Sequence, residues 1–130
     1  MVTKQHTYPL AQLEYDESIN VLFFRVNQGI EVDVKEILEM ITYAQEVMGE
    51  KKHYCVINFG SNVMSTSEAR EVYAGSDYIK NNRIADAFVV DSLAVRLVAN
   101  FFIRVTQPKV KTRLFTSESA AIEWLLQSKS

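Results

Sequence analysis

The sequence predicts an α/β domain with a mixed five-stranded sheet, its first strand antiparallel and the others mainly parallel, together with about four helices. Three observations lead there. Apolar runs of strand length alternate with amphipathic runs of helix length from Ile19 to the C-terminal end. Residues suited to helix capping stand before the amphipathic runs. The first two strand-like runs are joined only by Asp16-Glu17-Ser18, which suits antiparallel neighbours, whereas every later pair is separated by a helix and so calls for parallel pairing.

Length and composition set the frame. At 130 residues with 48% hydrophobic content, the chain can bury the core of one domain, and general disorder is excluded. A net charge of −2 provides no overall field for nucleic acid or an anionic membrane. Cys55 is the single cysteine, so no intramolecular disulfide can form. The first ten residues lack the apolar core of a signal peptide, and no apolar run reaches the ~20 residues of a membrane span. A cytoplasmic location without stable membrane insertion is the expectation.

Residues 1–8 carry little pattern and are expected to be a loose start. Leu10 to Tyr15 alternates as a half-buried strand, and Ile19 to Val26 is apolar on both faces, as a covered strand would be. Asp33 and Glu36 form a capping box, and Val34, Ile37, Leu38, Ile41, Ala44 and Met48 then share one helical stripe that Gly49 ends. His53 to Phe59 is a buried strand. Ser65 with Glu68 is a second capping box, opening a helix whose inner face holds Ala69, Val72, Tyr73, Ser76 and Ile79 and which closes at Asn81-Asn82.

Ala85 to Val90 is the next strand, followed by a helix from Leu93 to Thr106 that Pro108 ends. Thr112 to Phe115 is a short strand. Thr116 or Ser117 caps a last helix with Ala121, Trp124 and Leu125 facing inward.

The C-terminal third, RLVANFFIRVTQPKVKTRLFTSESAAIEWL, carries a family resemblance. Arg96, Ala99, Asn100, Phe101, Phe102, Pro108, Thr112, Phe115, Ala121, Trp124 and Leu125 are similar to the pattern of small bacterial proteins described as STAS/SEC14 domain-containing. Element order also resembles the STAS/SpoIIAA-like fold, a β-α superhelix found in anti-sigma factor antagonists. The resemblance implies that fold over the whole chain and little about activity. STAS antagonists carry an Asp-Ser-x-Gly element whose serine is phosphorylated. The corresponding stretch here is Val63-Met64-Ser65-Thr66-Ser67-Glu68, with Thr66 near the acceptor position, Ser65 in place of the aspartate and Glu68 in place of the glycine. Asn58 stands near the place of a strand-end aspartate.

Four groups of residues are candidates for function. Ser65 and Thr66 could accept phosphate at a helix N-terminus, but helix capping alone explains them and is the favoured reading. Arg96, Asn100 and Arg104 repeat every four residues on one helix face, where they could hold an anion or a partner; a solvated edge with arginines paired to carboxylates is the plainer account. Leu93, Leu97, Val98, Phe101, Phe102, Ile103 and Val105 cover more than one stripe, so the surplus needs a cover. Phe101, Phe102 and Val105 are the candidate apolar interface. Its cover would be a neighbouring helix first, a homodimer partner second, and a lipid or small apolar ligand third, the last implied by the SEC14 label alone. Lys109, Lys111 and Arg113 alternate along the last strand as a protected edge does.

His6 and His53 lack partners at metal-ligand spacing, Cys55 sits among apolar residues, and no nucleophile elbow or phosphate-binding glycine loop occurs. No metal, cofactor or nucleic-acid partner is expected. The leading functional expectation is a non-enzymatic protein-interaction or regulatory module, with a small-molecule or lipid carrier as the alternative.

Overall fold

The chain builds its sheet from strands whose two faces are chemically distinct. The computed structural model describes residues 2–60, 63–91, 93–106 and 110–127, and for residues 2–4, 94, 95, 98, 101, 102, 105 and 106 the backbone alone. Strands β1 (Val2–Thr7), β2 (Ala11–Asp16), β3 (Val21–Val26), β5 (His53–Gly60), β7 (Arg83–Val90) and β8 (Lys111–Phe115) form one sheet in the order β1-β2-β3-β5-β7-β8. The first two pairings are antiparallel and the last three parallel. The mixed α/β architecture is thus the expected one. The sheet has six strands rather than five because residues expected to be loose form β1, which pairs with β2 from Val2↔Asp16 to Thr7↔Gln12.

A second, two-stranded parallel pair joins β4 (Glu31–Val32) to β6 (Met64–Ser65). Each of these short strands leads directly into a helix. Helix α1 (Val34–Met48) has the expected capping box, in which Glu36 N–H donates to the Asp33 side chain and Asp33 N–H donates to Glu36 Oε1 at 3.0 Å, and Val34 N–H also donates to Asp33 Oδ1 at 2.8 Å. It ends at Gly49, whose φ of 57° favours glycine. Its buried face holds Met40, Tyr43, Ala44, Val47 and Met48, so the stripe is rotated from the expected one and Leu38 is 52% exposed.

The helix expected over residues 65–82 is two helices, α2 (Ser67–Ala74) and α3 (Asp77–Asn82), interrupted at Gly75. Ser76 caps α3 by accepting from Ile79 N–H at 3.3 Å. Thr66, not Ser65, caps α2, accepting from Ala69 N–H at 3.1 Å. Helix α4 (Leu93–Thr106) keeps its expected limits, and Ser117 precedes α5 (Glu118–Gln127), accepting from Ala120 N–H at 3.2 Å.

Strand alternation divides the core in two. On one face Leu13, Leu22, Phe24, Cys55, Ile57 and Phe88 meet α1 and α2, with Tyr78 of α3 and Ile103 of α4 at the margin. On the other, Val21, Phe23, Tyr54, Val56, Ala85, Ala87 and Val89 meet Ala121 and Leu125 of α5. Strand β3 is therefore covered on both sides, as the apolar run Val21-Leu22-Phe23-Phe24 requires.

Candidate functional site

The face of the sheet covered by α1 and α2 holds a cavity of about 100 Å³. Its floor is Phe24 of β3, Ile57 of β5 and Phe88 of β7, three strands brought side by side by parallel pairing. Met40 and Ala44 of α1 form one wall, and Ala69 and Tyr73 of α2 another. Ala99 of α4 also contributes. Two alanines, Ala44 and Ala69, are each 1% exposed, so small side chains on facing helices leave the space that larger ones would fill. At the rim stand Met64, half exposed, and Ser65 with Arg70. Arg70 Nη1 donates to the Ser65 carbonyl at 2.6 Å and to Ser65 Oγ at 3.0 Å, which fixes the guanidinium at that rim.

A buried polar network lies against this cavity. Arg83 Nη1 donates to Asp86 Oδ1 at 2.7 Å, and the two side chains are 2% and 1% exposed. The same Arg83 nitrogen donates to Tyr73 Oη at 3.0 Å, while Tyr73 O–H donates to Asp86 Oδ2. Arg83 Nε donates to His53 Nε2 at 3.3 Å. His53 Nδ1 lies 2.8 Å from the Lys51 carbonyl, which can only accept, so Nδ1 carries the proton and Nε2 offers its lone pair.

Burial, followed by the charge of Arg83, pushes the His53 pKa down to about 4, and the ring is neutral at pH 7. Burial raises the Tyr73 hydroxyl, with Asp86 adding to the effect, and pushes the Cys55 thiol up to about 12. Cys55 therefore carries no thiolate at neutral pH, in keeping with its place in an apolar strand. Among the described residues no group of three or more His, Cys, Asp or Glu is placed to hold a metal ion.

A second polar cluster sits on the α5 face. Arg25 forks onto Glu118 through Nε and Nη2, both at 2.9 Å, and reaches Glu14 at 3.4 Å. Asn58 Nδ2 donates to Glu118 at 2.9 Å, and Asn58 Oδ1 accepts from Gly60 N–H at 2.9 Å. The Arg25 hydrogen bonds hold Glu118 below the ordinary carboxylate range.

The residues singled out by sequence fall in different places. Thr66 Oγ1 donates to Asp33 Oδ1 at 2.9 Å while accepting from Ala69 N–H, so one carboxylate links the caps of α1 and α2. A phosphate there would meet the Asp33 charge directly. Ser65 belongs to the cavity rim, and Asn58 shares no partner with either residue. Arg96, Asn100 and Arg104 are exposed on α4, and among the described residues neither arginine has a carboxylate partner. Leu93 and Leu97 are 68% and 62% exposed, so part of the apolar surplus of α4 faces solvent instead of being covered. The side chains of Phe101, Phe102 and Val105, like Lys109, lie outside the described residues. Lys111 and Arg113 rest on the rings of Trp124 and Phe115, with charged groups 5.4 and 5.7 Å from the centroids.

The cavity and the Arg83–Asp86 network were not anticipated. The sequence signal for the network is a single aspartate inside the apolar run Ile84-Ala85-Asp86-Ala87-Phe88, since a charge in a covered strand demands a partner. No comparable signal marks the cavity, because a void belongs to no single segment.

Comparisons agree with the fold and add a family. An uncharacterised protein from Shewanella loihica PV-4, described as a DUF3478 family member with a SpoIIAA-like fold, superposes with a TM-score of 0.62 at 11% identity, covering 95% of this chain and 98% of its own. No curated protein matches the sequence. The family model described as Domain of unknown function (DUF7793) matches residues 15–129, and the chain belongs to that family.

Proposed function

We propose that the protein is a non-catalytic binding module whose working part is the cavity between α1, α2 and α4, and that its ligand is a small molecule with an apolar body. The carrying observation is the cavity itself: an apolar space of about 100 Å³ that Phe24, Ile57 and Phe88 floor and that reaches a rim bearing Arg70 and Ser65. Apolar walls with a few fixed polar groups are the general form of small-molecule sites. The strongly polar groups beside it support this reading by being engaged with one another. Asp86, Arg83, Tyr73 and His53 bond among themselves, and the neutral His53 ring has its Nδ1 proton on the Lys51 carbonyl and its Nε2 lone pair on Arg83.

An amide chemical-shift titration with hexan-1-ol and benzyl alcohol tests the proposal. Saturable shifts concentrated at Ile57, Ala69 and Phe88 are the expected result. Scattered or unsaturable shifts would count against it.

One observation favours a second reading, a protein-interaction face on α4. Leu93 and Leu97 are exposed beside Arg96, Asn100 and Arg104, an apolar pair rimmed by cations. Light scattering at micromolar concentration tests its simplest form, a homodimer, and a strict monomer would remove that form.

A further inference from the structure

We infer that the cavity takes a monoanionic amphiphile, a short-chain or aromatic monocarboxylate, with its apolar part on the Phe24–Ile57–Phe88 floor and its charged head on Arg70. This rests on the reading of the cavity as a binding site and adds the charge and size of what enters it.

The charge comes from Arg70. Its Nη1 is committed to Ser65, and among the described residues no carboxylate pairs with the rest of the guanidinium. The contrast with two arginines on the inner strands is direct: Arg25 of β3 lies on Glu118 and Arg83 of β7 lies on Asp86. A guanidinium presents several N–H donors in a planar fork that matches a carboxylate. Ser65 orients that fork without neutralising it, and Arg70 stands in the N-terminal half of α2, where the helix dipole adds to the positive potential.

The number of charges follows from the same network. Arg83 also lines the cavity, but Asp86 already neutralises it at 2.7 Å. One uncompensated cation selects one negative charge. Size follows from the volume: about 100 Å³ is below the roughly 150 Å³ of an engineered apolar cavity that accepts benzene. The buried part is therefore no larger than a single ring or a short chain, with the head left at the rim.

The test is a set of amide-shift titrations with hexanoate and hexan-1-ol at pH 7 on the wild-type chain and on Arg70→Gln. Arg70→Gln should weaken hexanoate about tenfold, the scale of one charge-assisted pair, and weaken hexan-1-ol, which carries no charge, by less than about threefold. Equal hexanoate affinity in both proteins, with hexan-1-ol still binding, would overturn the assignment of the anion to Arg70 while leaving the cavity as an apolar site. Absence of saturable shifts for both probes in the wild type would overturn the cavity reading and the inference with it. Arg70→Gln also loses bonds to Ser65, so a second comparison uses the wild type alone. Hexylamine should bind at least about tenfold more weakly than hexanoate, and equal affinity would refute the charge preference.

Discussion

Removing Asp86 should be among the most damaging single changes available to this chain. Asp86 lies on β7, between β5 and β8, in register with Cys55 and Thr112. Its side chain and that of Arg83 are almost completely hidden from water. In Asp86→Ala the guanidinium keeps Tyr73 and His53 as neighbours, neither of which supplies a negative charge at pH 7. Breaking a buried pair from one side costs about 3–5 kcal/mol, a large part of the roughly 5–15 kcal/mol that holds a domain folded. With a urea m-value of about 1.5 kcal/mol/M, the unfolding midpoint should fall by roughly 2–3 M.

The triple variant Arg83→Met, Asp86→Leu, Tyr73→Phe separates a lost attraction from a stranded charge. Tyr73 is included because its hydroxyl bonds to both partners. The triple variant should return to within about 1–2 kcal/mol of the wild type, since apolar groups of similar volume replace buried ion pairs well. Urea unfolding followed by circular dichroism reads all three proteins. A midpoint shift below about 0.5 M for Asp86→Ala would refute the buried-pair reasoning.

Other outcomes follow from the same geometry. Thr66→Val should cost about 1 kcal/mol in urea unfolding through the lost α2 cap, and any smaller effect of Asp33→Ala would contradict the placement of one carboxylate at both helix starts. His53 binds its proton less readily folded (pKa about 4) than unfolded (about 6.5), so the unfolded state gains protons first as pH falls. Stability should accordingly decline between pH 6.5 and 4, by at most roughly 3 kcal/mol, and the decline should be shallower in His53→Gln. Glu118 is depressed instead, so its contribution is present above the unfolded carboxylate pKa and is lost as pH falls through the lower folded value. Arg25 and Glu118 are partly solvated, so Glu118→Gln should cost under about 1 kcal/mol at pH 7 and flatten the acid limb slightly. Leu97→Ser, at an exposed position, should change monomer stability by no more than about 0.5 kcal/mol, and a larger loss would show that this face is covered in solution.

Much of the fold was legible because local chemistry and tertiary placement agree. Asp33 and Glu36 form the capping box that their spacing prescribes, and the doubly apolar Ile19–Val26 segment became the strand with a helix layer on each side. Strand β1 was not legible. Val2-Thr3-Lys4-Gln5-His6-Thr7 is an edge strand held by backbone pairing to β2, and it carries no run of apolar alternation. The break between α2 and α3 was written in Gly75-Ser76-Asp77, a stop followed by a cap and an acidic first turn, yet the apolar spacing ran across it. The choice between Ser65 and Thr66 as cap turned on one residue of register, which β6 fixes by pairing Val32 with Ser65.

The site was the least legible part, for a physical reason. Its floor comes from three strands, its walls from separate helices, and its charge from Arg70, which in sequence is an ordinary polar position on an amphipathic helix. The candidates drawn from sequence lay on single elements instead. Among the described residues, Ser65 alone of these reaches the cavity, and it does so as the acceptor that orients Arg70.

Filling the cavity tests the central claim most directly. Ala69 is 1% exposed and lines the space from α2, so Ala69→Leu should occupy it with a side chain and keep the fold. In a hexan-1-ol titration of this variant, saturable shifts at Ile57 and Phe88 should disappear while the amide spectrum remains dispersed. Undiminished binding to a folded Ala69→Leu protein would place the ligand elsewhere and contradict the cavity as the binding site.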